Sequence, residues 1–122
     1  MLPAAHRMRR PGDFDRAVRG GVRTGKSTMV VHVADALGDE DAPSVGFVVS
    51  KAVGNAVVRN VVKRRMRAVV AEHLTELAPG TLVVVRSLPA SASASYTTLE
   101  SDFSSCLARA QKKRRTPRPV GR

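Results

Sequence analysis

The chain has 122 residues and one cysteine, with 21 Lys and Arg against 10 Asp and Glu, a formal net charge of +11. A single domain of this size buries roughly two-thirds of its unfolded surface, so it needs neither disulfides nor a metal to hold a core. The lone Cys106 excludes a disulfide framework and a cysteine-based zinc site. The charge leaves the fold open but points to a polyanion as partner. A membrane surface is the weaker alternative, because no apolar run is long enough to span a bilayer.

The bases are unevenly placed. Residues 1–26 carry seven against two acids, 51–67 carry six against none, and 111–122 carry six against none. The acids gather between Asp35 and Asp41 and at Glu72, Glu76, Glu100 and Asp102, which predicts a basic side and a less basic side. Residues 1–10 read as a flexible basic arm with no apolar core of a secretory signal. Pro11 to Arg19 reads as a short helix: Pro11 suits a first turn, Asp13 and Asp15 suit its positive end, and Gly20-Gly21 stops it. Phe14, Ala17 and Val18 share one face of it. Residues 22–35 read as extended chain, with a possible break after 27 and a β-branched run from Met29 to Ala34. A turn follows over 38–43, then a strand from Val45 to Ser50. Gly54-Asn55 is a turn with Asn55 as helix cap. The helix it opens runs from Ala56 to Leu77 and stops at Pro79-Gly80. Thr81 to Arg86 is another apolar strand, 89–95 a loop of small residues, and Tyr96 to Ala110 a final helix burying Leu99, Phe103, Cys106 or Leu107, and Ala110. The expected order is α-β-β-β-α-β-α, an α/β (α+β) two-layer sandwich on one mostly antiparallel sheet. It forms one domain over 1–110, with a basic, disordered tail over 111–122.

One motif misleads. Gly20-Gly21-Val22-Arg23-Thr24-Gly25-Lys26-Ser27 matches the phosphate-binding P-loop pattern. That chemistry needs a strand before the loop and a helix after it, so that free helix amides cradle the phosphates. Here the order is inverted, and a glycine-containing turn into a strand is the better reading.

The central helix holds the functional signal. At about 100° per residue, Val58, Val62, Met66, Val69, Val70, His73 and Leu77 fall within an arc of roughly 120°. Beside that seam Arg59, Asn60, Lys63, Arg64 and Arg67 form one band. Like charges four apart repel by a few tenths of a kcal/mol per pair, and a solvated face would interleave glutamates to relieve this; none occurs before Glu72. A polyanion-binding face is therefore favoured over a merely solvated one. Asn60 can donate and accept hydrogen bonds at a base or sugar edge. Arg65 projects away from the band, toward the sheet or a second contact.

Val45-Gly46-Phe47-Val48-Val49-Ser50-Lys51, then Val53 to Asn60 and Lys63-Arg64-Arg65-Met66-Arg67, resemble the signature of the bacterial ribonuclease P protein component. Asp13-Phe14, Gly20-Gly21 and Pro79-Gly80 extend the likeness over roughly residues 6–110. The resemblance implies a fold like ribosomal protein S5 domain 2, with a left-handed crossover around the central helix, against the usual hand. It also implies a ribonuclease P subunit with no catalytic residue of its own. The partners are the catalytic RNA, which cuts the 5′ leader from precursor tRNA, and that tRNA; magnesium is the cofactor, held by RNA and substrate and not by the protein. By the same resemblance, Arg59, Asn60, Lys63, Arg64 and Arg67 meet RNA, Lys51 is a basic position on the approach to them, and Phe14 lines a leader cleft; Arg65 joins the RNA-binding set as the second contact. Val18 and His32 stand where the family places cleft aromatics, and Val61 where it often has arginine. Stacking is worth roughly 1–3 kcal/mol per base, so charge has to replace part of the grip here. Phe14 equally suits a core position.

His6, His32 and His73 share no ligand spacing, and Tyr96, Phe103 and Cys106 read as packing residues. The tail either adds diffuse RNA affinity or only solubilises. The expected setting is cytoplasmic, with one protein per RNA, a monomer when alone and no membrane. The competing function is a general RNA-binding or ribosome-associated protein with no part in tRNA processing.

Overall fold

A computed structural model describes residues 7–8, 11–35 and 43–115 of the chain. The elements are α1 (Pro11–Gly20), β1 (Val22–Gly25), β2 (Met29–Asp35), β3 (Ser44–Val49), α2 (Ala56–Glu72), β4 (Thr81–Ser87) and α3 (Tyr96–Arg115), in the expected order. The sheet runs β1-β2-β4-β3. Its first two pairings are antiparallel, and β3 with β4 is parallel. Parallel neighbours need a crossover, and α2 supplies it. The P-loop-like stretch ends α1 and then builds the β1–β2 hairpin, closed by the Lys26 N–H donating to the Met29 carbonyl at 2.8 Å.

The strands β2 and β4 are continuous apolar runs because both their faces are covered. On one face Met29, Val31, Val33, Val45, Val83 and Val85 meet Val62, Met66, Val69 and Val70 of α2 and Leu99, Phe103, Cys106, Leu107 and Ala110 of α3. On the other, Ala34, Leu82 and Val84 meet Ala17 of α1, with Met8, Phe14, Val18 and Val48 around them. The first face carries two long helices; the second carries one helix of 10 residues.

The ends of α1, β3 and β4 shift by one residue from expectation, and three differences are larger. The α-helix of α2 ends at Glu72, not Leu77; His73 leaves helical geometry and a 3-10 turn, Leu74–Glu76, follows. The His73 ring is taken there by Glu76 and, at 2.7 Å, by the distant Glu100 of α3. The small-residue loop contains a second 3-10 turn, Pro89–Ala92, where the buried Ser91 hydroxyl donates to the Leu88 carbonyl at 2.6 Å. Helix α3 continues to Arg115, five residues past Ala110. Its last turns are seated on the sheet: Lys113 Nζ donates to the Arg23 carbonyl at 3.0 Å, and Arg114 pairs with Asp35. The expected tail beyond 115, most of the arm over 1–10 and most of the 38–43 loop lie outside the described residues. Within the arm, Arg7 pairs with Val45 in parallel, and the Met8 N–H donates to the Val45 carbonyl at 2.8 Å. That short pairing covers the outer edge of β3, where unpaired backbone would otherwise face solvent.

Candidate nucleic-acid interface

Helix α2 starts where the sequence says it should. Asn55 Oδ1 accepts from the Val58 N–H at 3.0 Å, the expected cap. Gly54 precedes it because a Cβ there would lie 2.9 Å from Val58 side-chain carbons. The free Gly54 carbonyl accepts from Arg59 Nε at 3.1 Å, which folds that guanidinium back over the turn. From there Val62, Met66, Val69 and Val70 are buried as one seam.

Beside the seam, Asn60, Lys63, Arg64 and Arg67 line a groove of about 430 Å³, together with Arg7 and Ala68. Four of the seven residues expected to meet RNA therefore converge in one place. None of their charged groups has an ion-pair partner among the described residues. Arg59 stands one residue ahead, tied to Gly54. Lys51 is exposed on the turn after β3, with its carbonyl accepting from the Gly54 N–H at 3.2 Å. Arg65 is not in the groove: its Nη1 reaches the Ala94 carbonyl at 3.4 Å, on the flank facing α3. Arg7 was visible in the sequence only as one base of the arm. Its place in the groove follows from a pairing with Val45 that no local pattern announces.

Of the three expected cleft residues, Phe14 and Val18 lie on α1, and His32 lies on the sheet face that α1 partly covers. Phe14 and Val18 are half-buried against the Ala17, Ala34, Leu82 and Val84 cluster. Gly46 makes room for Phe14 and Met8: a Cβ there would meet Met8 Sδ at 3.3 Å and Phe14 Cδ2 at 3.5 Å. His32 is 4% exposed, and neither ring nitrogen has a hydrogen-bond partner among the described residues. Its pKa lies below the ordinary histidine value, first through burial and then through the nearby positive charges of Arg86 and Arg23, so it is neutral at pH 7.

The acids behave differently. His73 is buried against Glu76 and Glu100, and its ring meets Phe103 edge-on at 5.5 Å. Burial alone would lower its pKa, but hydrogen bonds to Glu100 and Glu76 and their charges outweigh that and raise it. Tyr96 is 37% exposed and is not a core residue; its hydroxyl donates to Glu72, which together with partial burial pushes its pKa up to about 12. Among the described residues no group of three or more His, Cys, Asp or Glu side chains is placed to hold a metal ion, and no helix is long and apolar enough to cross a membrane.

A small α+β fold with a basic helix face and a groove lined by bases defines a nucleic-acid-binding class of protein. The family model described as Ribonuclease P matches residues 2–111, and the chain belongs to the ribonuclease P protein family, whose work is tRNA processing and RNA binding. The ribonuclease P protein component of Beutenbergia cavernae is 58% identical over 107 residues, covering 88% of this chain and 89% of the relative. That of Streptomyces bikiniensis is 48% identical over 116 residues, covering 89% and 94%. In fold, the RNase P protein of Staphylococcus aureus superposes with a TM-score of 0.77 at 24% identity, over 87% of this chain and 95% of that one.

Proposed function

We propose that the protein binds the catalytic RNA of ribonuclease P through the α2 groove, and the 5′ leader of precursor tRNA on the sheet face beside α1. In this reading the RNA makes the cut. The observation that carries it is the groove itself, where Arg7, Lys63, Arg64 and Arg67 converge without an acidic partner among the described residues. Each phosphate neutralised there releases counterions, which is the main source of such affinity. Asn60, among these bases, has donors and an acceptor for a sugar or base edge. Arg59 and Lys51 add charge on the approach to the groove, and Arg65 on its far flank.

Magnesium belongs to the RNA and substrate in this reading. Among the described residues the carboxylates of Glu72, Glu76 and Glu100 are engaged by Tyr96 and His73. One protein serves each RNA in the cytoplasm, and the protein alone is a monomer. The test is cleavage of precursor tRNA by the RNA subunit at low magnesium, with and without the protein. The protein should raise the rate and lower the magnesium requirement, and should cut nothing by itself. Unchanged cleavage, with only ribosomal RNA recovered on purification, would leave a general RNA-binding protein instead.

A further inference from the structure

The two edges of the sheet are covered differently. The outer edge of β3 carries the pairing of Arg7 with Val45. The outer edge of β1 has no strand beside it among the described residues. The backbone groups it presents follow from the ladder. The Lys26 N–H donates to the Met29 carbonyl, which makes 26 and 29 a hydrogen-bonded pair. Alternation along the register makes Thr24 with Val31, and Val22 with Val33, pairs of the same kind. Arg23 and Gly25 therefore turn their N–H and C=O groups outward, away from β2.

Both outward carbonyls are taken by α3. Arg109 Nη2 donates to the Gly25 carbonyl at 2.7 Å, and Lys113 Nζ to the Arg23 carbonyl at 3.0 Å. The spacings match, since residues four apart on a helix rise about 6 Å and residues two apart on a strand about 6.6 Å. Between the two contacts the Thr24 hydroxyl donates to the Cys106 carbonyl at 2.8 Å and fixes the strand against the helix. Arg109, Lys113, Arg23 and Gly25 are all exposed, so water could satisfy the same carbonyls. Helix α3 is already seated by Leu99, Phe103, Leu107 and Ala110. What the two bases add is occupancy of an edge that is otherwise ready to pair.

We propose that the last turns of α3 are a latch over a self-pairing edge: Arg109 and Lys113 keep β1 from adding to β1 of a second copy of this chain. The second copy is the fitting occupant because β1 is self-complementary about Thr24. Antiparallel pairing centred there sets Arg23 of one copy opposite Gly25 of the other, twice, through backbone groups that face outward on both sides. No two arginines are then directly opposed, and glycine leaves room for the guanidinium. Opening the latch joins two four-stranded sheets into one continuous sheet. Closed, it keeps each chain single.

The experiment follows the sedimenting mass of the full chain over a concentration series. The wild type should stay at the monomer mass. The double variant Arg109→Ala, Lys113→Ala should rise toward twice that mass. Adding Gly25→Pro should return it to the monomer, because proline removes an outward N–H that the β1–β2 ladder does not use. A Cβ at Gly25 meets only ordinary contacts, 3.7 Å from Val30 Cγ2 and 3.8 Å from the Met29 carbonyl oxygen. Amide exchange gives a second readout without proline. The Arg23 and Gly25 amides should exchange fast in the wild type and about tenfold more slowly, or slower still, in the dimer of the double variant. A control separates the two bonds from the loss of charge. Arg23→Gln with Lys26→Gln removes as much charge from the same edge and leaves both carbonyl contacts in place, so it should remain monomeric. Equal dimerisation of that control would make charge repulsion the barrier and overturn the latch. A double variant that stays monomeric overturns it too, as does a dimer whose Arg23 and Gly25 amides remain fast.

Discussion

Two buried histidines carry opposite pH dependences, because one is paired and the other is not. His73 bridges Glu76 and Glu100, and its folded pKa is raised above the ordinary 6.5. The folded state therefore holds its proton more tightly than the unfolded chain does. The stabilisation is fully present below pH 6.5 and is lost as pH rises through the raised value. His32 is held neutral, with its folded pKa lowered from 6.5 by burial and by Arg86 and Arg23. There the unfolded chain takes the proton first, so stability is present above 6.5 and is lost as pH falls toward the lowered value. Together the two place a stability maximum near pH 6.5. Replacing His73 by Gln should cost about 1.5–3 kcal/mol at pH 6, the range for hydrogen bonds to charged groups, and should flatten the loss on the alkaline side. Replacing His32 by Phe should flatten the loss on the acid side. Melting temperatures between pH 5 and 8 decide it; an alkaline limb that survives in the His73 variant would show that some other group titrates there.

Helix α2 has two faces with opposed demands, and substitutions should separate them. The seam residues Val62 and Met66 are 1% and 0% exposed. Met66→Ala should cost about 2–5 kcal/mol through lost burial and the cavity left behind. The groove face is under charge strain, since Lys63 and Arg67 lie four apart and Arg64 and Arg67 three apart with no acid between them. Replacing Lys63, Arg64 and Arg67 by Gln should leave stability unchanged or raise it by a few tenths of a kcal/mol. The same change should reduce the logarithmic salt slope of RNA binding by about 2, for three single-strand phosphate contacts. Urea melts and a salt titration of the Kd read the two effects apart. A lower melting midpoint with an unchanged slope would make these bases structural and move the RNA face elsewhere. This helix was legible in the sequence because everything that builds it is local: the Asn55 cap, the Gly54 turn, and a seam and band spaced by the helical repeat. Its end was not, because His73 leaves the helix to meet Glu100, which is 27 residues away.

At the scale of the whole molecule, what escaped the sequence is what ties distant segments together. The succession of elements along the chain followed from apolar runs; the order β1-β2-β4-β3 within the sheet and the covering of both its faces did not. Arg7 beside Val45 and Arg65 on Ala94 join parts with no shared local pattern. The last turns of α3 are the clearest case. Their bases read as a solvated tail because charge density was the only local signal. Folded, they close the molecule: Gln111 donates to the Glu76 carbonyl at 2.8 Å, Lys113 to Arg23 of β1, and Arg114 pairs with Asp35 at the end of β2. One helix end thus holds the turn after α2 and the first two strands. These contacts are largely exposed, so each is worth little, and the set is worth about 1–2 kcal/mol. A chain ending at Ala110 should therefore still fold but melt several degrees lower, since about 1 kcal/mol shifts a domain of this size by roughly 4–8 °C. Ending it at Arg115 should restore the full-length melting temperature, while any RNA affinity contributed by the remaining bases would be lost in both. Equal melting of all three chains would show that α3 is anchored by its apolar seam alone.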